Sequence, residues 1–330
     1  MDKPMAAETN DQDAVALSIV APMHDEAGVA AEFVRRCAAA AAGLGVSWEL
    51  IVCDDASADD TVVRLHAAAA EAEVAATAGA AGGVRVLQQA RNLGQIGATL
   101  AAMAASRGAW VVVLDGDLQD PPEVIPDLWR RGTQAASRPS AVFAVKTTRD
   151  DPRWFLVGRS AFAGAQALMG GALPPPGAGA FCLLPGEFAR RVARADVIHA
   201  NLAPLVMAVL ARDDSAGGVA TVGYAKAARY DGMSRVGPIG LAREAMGSLE
   251  LSGALGRGFK VAAVAGAVGA VGLLPTLLMP PVGLPLLAGA GWLVRSVWRA
   301  GQRADARASR ALEPTETAPE RGHAVRSRTT

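Results

Sequence analysis

Short apolar runs alternate with helix-like stretches over residues 16–145, and this alternation limits the possible folds more than any other feature of the sequence. The strand-like runs are residues 17–22, 48–53, 84–87, 110–114 and 141–145. The helix-like stretches are residues 26–44, 59–74 and 94–107. Continuously apolar strands connected by helices are typical of a parallel sheet covered on both faces. The chain is therefore predicted to begin with an α/β domain.

Two carboxylates, Asp115 and Asp117, follow the apolar run that ends at Leu114. Ligands of open α/β sheets bind at the carboxyl ends of strands, and alternation along an extended chain would point both side chains the same way. Paired carboxylates there suit a hard divalent cation that also holds phosphate oxygens. A plain strand-to-helix loop, with Asp120 as N-cap and Pro121 at the first helical position, explains the same residues equally well.

Polar residues also follow other predicted strands. Residues 22–26 follow the first, Asp54 and Asp55 follow the second, and residues 91–95 precede a helix. In a parallel sheet all of these positions lie at one edge. Such an edge suits a nucleotide, because carboxylates can bind the base and ribose hydroxyls while a metal ion binds the diphosphate. Taken singly, each segment could be a turn or a helix cap.

Charge and cysteine content exclude several classes of protein. Lys and Arg together number 32, as do Asp and Glu, so the formal net charge is zero. A nucleic-acid binder that relies on bulk positive charge is therefore not expected. The three cysteines lack metal-ligand spacing and need no oxidising compartment. Residues 1–14 are polar and acidic, without a secretory signal, so the N-terminal domain is expected to stay in the cytoplasm.

A long uncharged segment lies near the C-terminus. Residues 261–294 form a run of 34 residues without a charge, and Pro280–Gly283 near its middle is a natural turn. One membrane span needs about 20 apolar residues. Basic residues flank both ends, which favours a two-pass hairpin with both ends in the cytoplasm. A buried apolar helix pair and a re-entrant hairpin are the alternatives.

Several segments together resemble the inverting glycosyltransferases of family 2, and in particular dolichol-phosphate mannose synthases and the bacterial polyprenyl-phosphate glycosyltransferases. The matching segments are Ser18–Pro22 with Glu26, Glu49–Asp59, Arg91–Gly94, Asp115–Glu123 and Arg229–Arg235. The resemblance spans about residues 16–255. It implies a nucleotide-sugar-binding fold of the GT-A type, an α/β fold with a mostly parallel sheet and helices on both faces.

The resemblance implies a role for individual residues. Donor-binding residues would be Pro22, Glu26, Asp54, Asp55, Arg91 and Asp115. Mg²⁺ or Mn²⁺ would be bound at Asp115, Asp117 and Gln119. Phosphate-binding residues would be Lys146, Arg149 and Ser234, and catalytic residues would be Asp117, Arg229 and Arg235. For each arginine, a plain surface charge is the alternative.

The composition of the segments and the resemblance together predict how the chain is organised. Residues 1–14 would be a disordered N-terminus, 15–235 the catalytic domain and 236–258 an amphipathic interfacial helix. Residues 259–297 would form the transmembrane hairpin, followed by a basic and then disordered cytoplasmic tail over 298–330. We thus expect a multi-pass protein of the cytoplasmic membrane with its catalytic domain in the cytoplasm. A homo-oligomer is compatible with the sequence.

The sequence departs from the subgroup pattern at several positions. His24 and Asp25 stand where Tyr-Asn is usual, and Lys146 stands where an arginine is common. Ala180 and Cys182 replace the acid and the arginine of a usual Asp-Phe-Arg-Leu segment. A hydroxyl nucleophile would need that acid as a general base, whereas a lipid phosphate is already ionised at neutral pH.

The sequence therefore predicts transfer of a hexose from a UDP- or GDP-sugar to a polyprenyl phosphate at the cytoplasmic membrane face. The expected partners are the nucleotide sugar, the polyprenyl phosphate and membrane lipid, and no nucleic acid. One alternative is a family 2 enzyme with another acceptor, such as a glycan or a different lipid. The other is a degenerate membrane protein that binds a nucleotide sugar without catalysis.

Overall fold

The computed structural model describes residues 15–76, 82–135, 138–147, 174–195, 197, 201–213, 217–226, 299, 302 and 326–328. No helix within these ranges is both long enough and apolar enough to cross a membrane. The predicted disordered N-terminus, interfacial helix and transmembrane hairpin lie outside the described residues, as does nearly all of the tail.

Strands and helices follow one another in the predicted order over the first half of the chain. The strands are β1 (Leu17–Met23), β2 (Trp48–Asp54), β3 (Gly82–Gln88), β4 (Trp110–Val113), β5 (Ala141–Lys146), β6 (Ala178–Pro185), β7 (Val219–Tyr224) and β8 (Arg326–Arg328). The helices are α1 (Ala30–Ala42), α2 (Thr61–Ala76), α3 (Gly94–Ala104), α4 (Ile125–Thr133), α5 (Gly186–Val192) and α6 (Leu202–Leu210). A 3-10 turn, Pro122–Val124, leads into α4.

The strands form a single mixed sheet in the order β7-β5-β6-β4-β1-β2-β3-β8. β1 pairs in parallel with β2 on one side and with β4 on the other. β6 enters antiparallel between β4 and β5, and β8 is antiparallel to β3. The mostly parallel sheet is confirmed, although β6 separates two strands that the alternation alone would make neighbours.

Two apolar layers cover the sheet, one on each face. Alternate residues of the central strands, such as Ile19 and Leu50, pack with α1, α2 and α4. The residues between them, such as Val20 and Ile51, pack with α3, α5 and α6. Burying one such side chain stabilises the fold by roughly 1.5–3 kcal/mol relative to leaving it exposed. Helices on both faces, as predicted, are therefore the reason that β1 and β2 are buried at every position.

The start of α1 differs from the prediction. α1 begins at Ala30 rather than at residue 26. The Glu26 amide donates instead to Thr61 Oγ1 at 2.8 Å, and the Ala27 amide donates to Asp59 Oδ2 at 3.1 Å. These bonds hold the β1–α1 loop against the residues that follow β2.

Glu49 forms a buried polar network at the edge of the sheet where β1 and β2 begin. Its side chain is only 2% exposed and accepts hydrogen bonds from Ser18 Oγ at 2.6 Å and from the Arg107 amide at 2.7 Å. The Arg107 and Arg85 guanidinium groups also donate to it. Burial alone would raise the pKa of Glu49, but these hydrogen bonds outweigh it and the pKa lies below its ordinary value. The network stabilises the fold through a charged carboxylate.

We expect Glu49→Gln to lower the free energy of unfolding at pH 7 by about 2 kcal/mol, because several charge-assisted hydrogen bonds are weakened. Since the folded-state pKa is depressed, this contribution is present at neutral pH and is lost as the pH falls through that pKa. Thermal unfolding of the full-length chain in detergent, at pH 7 and near pH 3, measures both effects. Glu32→Gln removes an exposed carboxylate paired with Arg35 and should change little. Equal unfolding of wild type and Glu49→Gln at pH 7 would contradict the prediction.

Candidate functional site

Loops from four strand ends meet at the carboxyl edge of the parallel strands. The Asp55 amide donates to the Met23 carbonyl at 2.8 Å, which joins the loops after β1 and β2. The Leu93 amide donates to Asp55 Oδ1 at 2.7 Å, which adds the loop before α3. Gln95 Nε2 donates to Asp115 Oδ1 at 2.6 Å, which adds the loop after β4. The structure thus brings together the predicted residues that follow β1, β2 and β4.

Asp54 and Asp55 are nearly fully buried but differ in their contacts. Burial raises the pKa of Asp55, and hydrogen bonds from the Leu93 and Gly94 amides partly oppose this. Asp54 Oδ2 accepts from the Ser57 amide at 3.2 Å, whereas Asp54 Oδ1 has no hydrogen-bond partner among the described residues. A buried oxygen without a partner is rare and costly, so Asp54 Oδ1 is a candidate acceptor for an N–H or O–H of a ligand.

His24 and Asp25, which stand where Tyr-Asn is usual, contact the neighbouring loops. The Asp25 backbone has a φ of +52°, and its Oδ1 accepts from the Ala58 amide at 2.8 Å. The Asp25 amide donates to Ser57 Oγ at 2.9 Å. His24 Nε2 lies 3.2 Å from Asn92 Nδ2 in the loop before α3. His24 and Asp25 therefore connect the β1 loop to the two loops beside it. Pro22 is buried just before them, and Glu26 is half-buried just after.

The loop after β4 turns sharply between its carboxylates. Asp117 Oδ1 accepts from the backbone amide of Gln119 at 3.0 Å. Leu118 between them has a φ of +59°, a conformation that costs an L-residue roughly 1–2 kcal/mol. Burial of the Leu118 side chain, which is 3% exposed, offsets that cost. Because β4 ends at Val113, one residue before the predicted end, strand alternation does not set the directions of Asp115 and Asp117.

The loop carries an excess of negative charge. The pKa of Asp115 is raised to about 7, mainly by burial and also by the nearby carboxylates of Asp120 and Asp117, while the ammonium of Lys146 and the amide of Gln95 partly oppose the rise. A divalent cation would relieve this repulsion. Within the described ranges no group of three or more His, Cys, Asp or Glu side chains is arranged to hold a metal ion. The two carboxylates of Asp115 and Asp117 could serve as oxygen ligands of a cation that also binds phosphate oxygens and water.

Asp120 is not the helix cap that the loop interpretation predicted. Pro121 stands at the N-cap of the following 3-10 turn, which has no side-chain cap bond. Asp120 is instead 3% exposed, accepts a hydrogen bond from the Tyr224 hydroxyl and lies 3.8 Å from Lys146 Nζ. Burial and the charge of Asp120 raise the pKa of Tyr224, which keeps the hydroxyl protonated as a donor.

Two residues of this edge, Gln95 and Tyr224, had no predicted role. Gln95 directly follows the Arg91–Gly94 segment, so its position near the loops was visible in the sequence although its contact with Asp115 was not. Tyr224 is separated from Asp120 by 104 residues, and only the β5–β7 pairing brings it there. No local pattern marks it.

Of the remaining residues predicted to bind the donor or phosphate groups, Lys146 and Arg91 lie within the described residues. Lys146 lies at the end of β5 with 28% of its side chain exposed, and Arg91 is exposed in the loop before α3. Arg149, Arg229, Ser234 and Arg235 lie outside the described residues.

Ala180 and Cys182, which depart from the usual Asp-Phe-Arg-Leu segment, lie in β6. Cys182 is fully buried opposite Val113 and Phe143, and burial raises the pKa of its thiol. Ala180 is half-buried against the face covered by α3, α5 and α6. Neither position therefore provides a charged group where the resemblance would place an Asp and an Arg.

Most of the residues at this edge lie in the part of the chain that is similar to known proteins. Residues 18–157 match the model of glycosyl transferase family 2. Undecaprenyl-phosphate 4-deoxy-4-formamido-L-arabinose transferase of Pseudomonas paraeruginosa is 37% identical over 138 residues, which are 42% of this chain and 38% of that protein. The Klebsiella pneumoniae protein of the same name is 40% identical over 34% of this chain and 32% of its own length. The chain thus spans less than two fifths of these relatives.

A solved structure is similar in fold over a larger part of the chain. Glucosyl-3-phosphoglycerate synthase from Mycobacterium tuberculosis, in complex with UDP, is 21% identical, with 71% of this chain and 79% of that chain covered and a TM-score of 0.50. At this identity the likeness concerns the fold alone.

We expect Gly116→Ala to weaken joint binding of Mn²⁺ and UDP or GDP about tenfold or more. An added Cβ would lie 2.7 Å from Met23 Cγ and 2.8 Å from the Pro22 carbonyl, so the carboxylate loop must shift. Titration calorimetry of the full-length protein measures this binding. Gly83→Ala in β3 is the matched control, since its Cβ would meet nothing within 4 Å. Equal binding by Gly116→Ala and wild type would contradict the prediction.

We expect Asp115→Asn to stabilise the metal-free protein at pH 8 by about 1–2 kcal/mol while abolishing joint binding of metal and nucleotide. Because the folded-state pKa of Asp115 is raised, the ionised carboxylate destabilises the fold, and the gain should shrink as the pH falls below about 7. Melting curves at pH 6 and pH 8, with and without Mn²⁺, measure the change. A variant that melts below wild type at pH 8 without metal would refute this account.

Proposed function

We propose that this chain, whose residues 18–157 match the model of glycosyl transferase family 2, moves a sugar from a nucleoside diphosphate to a polyprenyl phosphate. The observation that carries the proposal is the position of Asp115 and Asp117 at the end of β4, where Gln95 binds Asp115 at 2.6 Å. The names of the curated relatives, which include an undecaprenyl phosphate, support a lipid-phosphate acceptor.

The donor nucleotide would lie across the loops after β1, β2 and β4. Asp54 Oδ1, buried without a partner among the described residues, would accept a hydrogen bond from the base or ribose. Asp55 would act by holding the loop of Arg91, since its own oxygen already accepts from Leu93. Pro22 and Glu26 would line the same pocket from the β1 side.

The donor diphosphate would lie against Asp115 and Asp117. Mg²⁺ or Mn²⁺ bound by these carboxylates, with Gln119 beside them, would neutralise charge on the departing diphosphate. Lys146 would add positive charge from the end of β5, and we assign the same role to Arg149, Arg229, Ser234 and Arg235. Fixed charges of this kind act where negative charge develops in the transition state.

The chemical step would need orientation more than proton transfer. An oxygen of the lipid phosphate would attack the anomeric carbon from the side opposite the leaving group. The bond between the anomeric carbon and the diphosphate oxygen would break, and its electron pair would leave with the nucleoside diphosphate. This inverts the anomeric carbon. The phosphate is already ionised, so no general base is required and Ala180 is compatible with the reaction.

The acceptor would require a membrane beside the site. The uncharged run of residues 261–294 and its basic flanks support a hairpin over residues 259–297, preceded by an interfacial helix over 236–258. Both ends would then lie at the cytoplasmic face of the inner membrane, where a nucleotide sugar and a polyprenyl phosphate can meet.

The test is transfer of labelled sugar by membranes that contain the full-length protein. UDP- and GDP-sugars are screened with polyprenyl phosphate, and the lipid product is identified by mass spectrometry. We expect Asp117→Ala to lower the rate at least about 100-fold, because charge on the leaving group is no longer neutralised. Asp127→Ala in α4 is the matched control, since that carboxylate is exposed and pairs only locally with Arg130.

Two results would count against the proposal. Full activity of Asp117→Ala would remove the metal role assigned to this residue. Absence of lipid product with every donor would exclude polyprenyl phosphate as the acceptor. The loss of polar groups at Ala180 and Cys182 favours a different acceptor as the second candidate, and the same screen with glycan and other lipid acceptors tests it.

A further inference from the structure

A polar cluster of the buried residues Asp120 and Tyr224 and the partly exposed Lys146 lies directly beside the carboxylate loop. Tyr224 is the last residue of β7, is 5% exposed, and donates its hydroxyl hydrogen to Asp120 Oδ1. Lys146 Nζ lies 3.8 Å from the same oxygen. These three residues come from β5, β7 and the loop after β4, so the cluster connects the loop to the far side of the sheet.

Tyr224 is held on both its backbone and its ring. The Thr147 amide and Thr147 Oγ1 each donate to the Tyr224 carbonyl at 2.9 Å. The tyrosine ring meets Phe181 edge to face, with centroids 5.7 Å apart and planes at 74°. A side chain fixed in this way presents its hydroxyl at a set position, so Asp120 is bound by a preorganised donor.

The bond to Tyr224 has two consequences for the loop. Asp120 lies three residues after Asp117, so fixing its carboxylate limits the backbone that carries Asp117 and the left-handed Leu118. The hydroxyl also satisfies Asp120 Oδ1, while Lys146 stands beyond hydrogen-bond distance at 3.8 Å with 28% of its side chain exposed. The ammonium thus forms an ion pair with Asp120 at 3.8 Å without a direct hydrogen bond to it.

We propose that Tyr224 is a positioning residue for the transfer reaction: its hydroxyl fixes the Asp115–Asp120 loop for metal binding and leaves the Lys146 ammonium available to the donor diphosphate. This inference rests on the proposed function. Tyr224 acts through Asp120 and touches neither substrate.

The test is Tyr224→Phe in the full-length protein, which removes one oxygen and keeps the ring against Phe181. We expect about a tenfold to thirtyfold loss of kcat and a similar rise in the Mn²⁺ concentration for half-maximal rate, as for other groups that orient metal ligands. The KM for polyprenyl phosphate should stay unchanged. Calorimetry of Mn²⁺ with UDP or GDP should show a matching loss of affinity without any turnover.

Thr133→Val is the matched control. It removes a half-buried hydroxyl that bonds only its own helix, through Trp129 O at 2.8 Å, and should leave the rate and the metal dependence unchanged. Melting curves establish that each variant is folded at the assay temperature. Unchanged kcat and unchanged metal affinity in folded Tyr224→Phe would overturn the inference.

A double-mutant cycle with Asp120→Asn tests whether Tyr224 acts through Asp120. If it does, Tyr224→Phe adds little to the loss already caused by Asp120→Asn, so the effects of the two changes do not add. Fully additive losses would refute the inference even if each single variant is impaired. Because calorimetry needs no acceptor, wild-type binding without transfer would count against the proposed function alone, and the role of Tyr224 would still be decided.

Discussion

Burial of β1 on both faces, between β2 and β4, is the constraint on which the rest of the structure depends. Every residue of β1 is buried, and its register aligns Leu17 with Trp48 on one side and with Trp110 on the other. Three parallel strands locked in this way must end at the same edge. The backbone bond from Asp55 to Met23 follows from that alignment, and α3 brings Gln95 to Asp115 at the same edge.

Carboxylates at the two ends of the parallel strands have opposite pKa shifts. Where β1 and β2 begin, Glu49 is buried with enough donors to keep it ionised, which stabilises the fold. Where β4 ends, Asp115 lies among like charges and its pKa is raised. Carboxylates crowded without enough donors are unfavourable for stability but suit a cation and a diphosphate. The candidate site therefore differs from a structural ion pair in how many donors surround its carboxylates, rather than in how many carboxylates it contains.

The structure supports the proposed donor site more fully than the proposed acceptor site. The loops that would bind the donor are joined by hydrogen bonds of 2.6–3.2 Å and lie within the region that matches family 2. On the acceptor side, Cys182 is buried in the core and Ala180 has no polar group. A phosphate acceptor tolerates these losses better than a hydroxyl acceptor, because its nucleophile needs no base.

The sequence by itself determined the α/β alternation, the mostly parallel sheet and the strand ends that carry Asp55 and Asp115, because local patterns of apolar and polar residues encode strands and their exits. It could not predict the antiparallel entry of β6 or the bond from Tyr224 to Asp120. Those depend on pairing between strands far apart in the chain, which no local pattern records. For the same reason Asp120, which local rules predict as a helix cap, became a buried acceptor once β7 brought Tyr224 beside it.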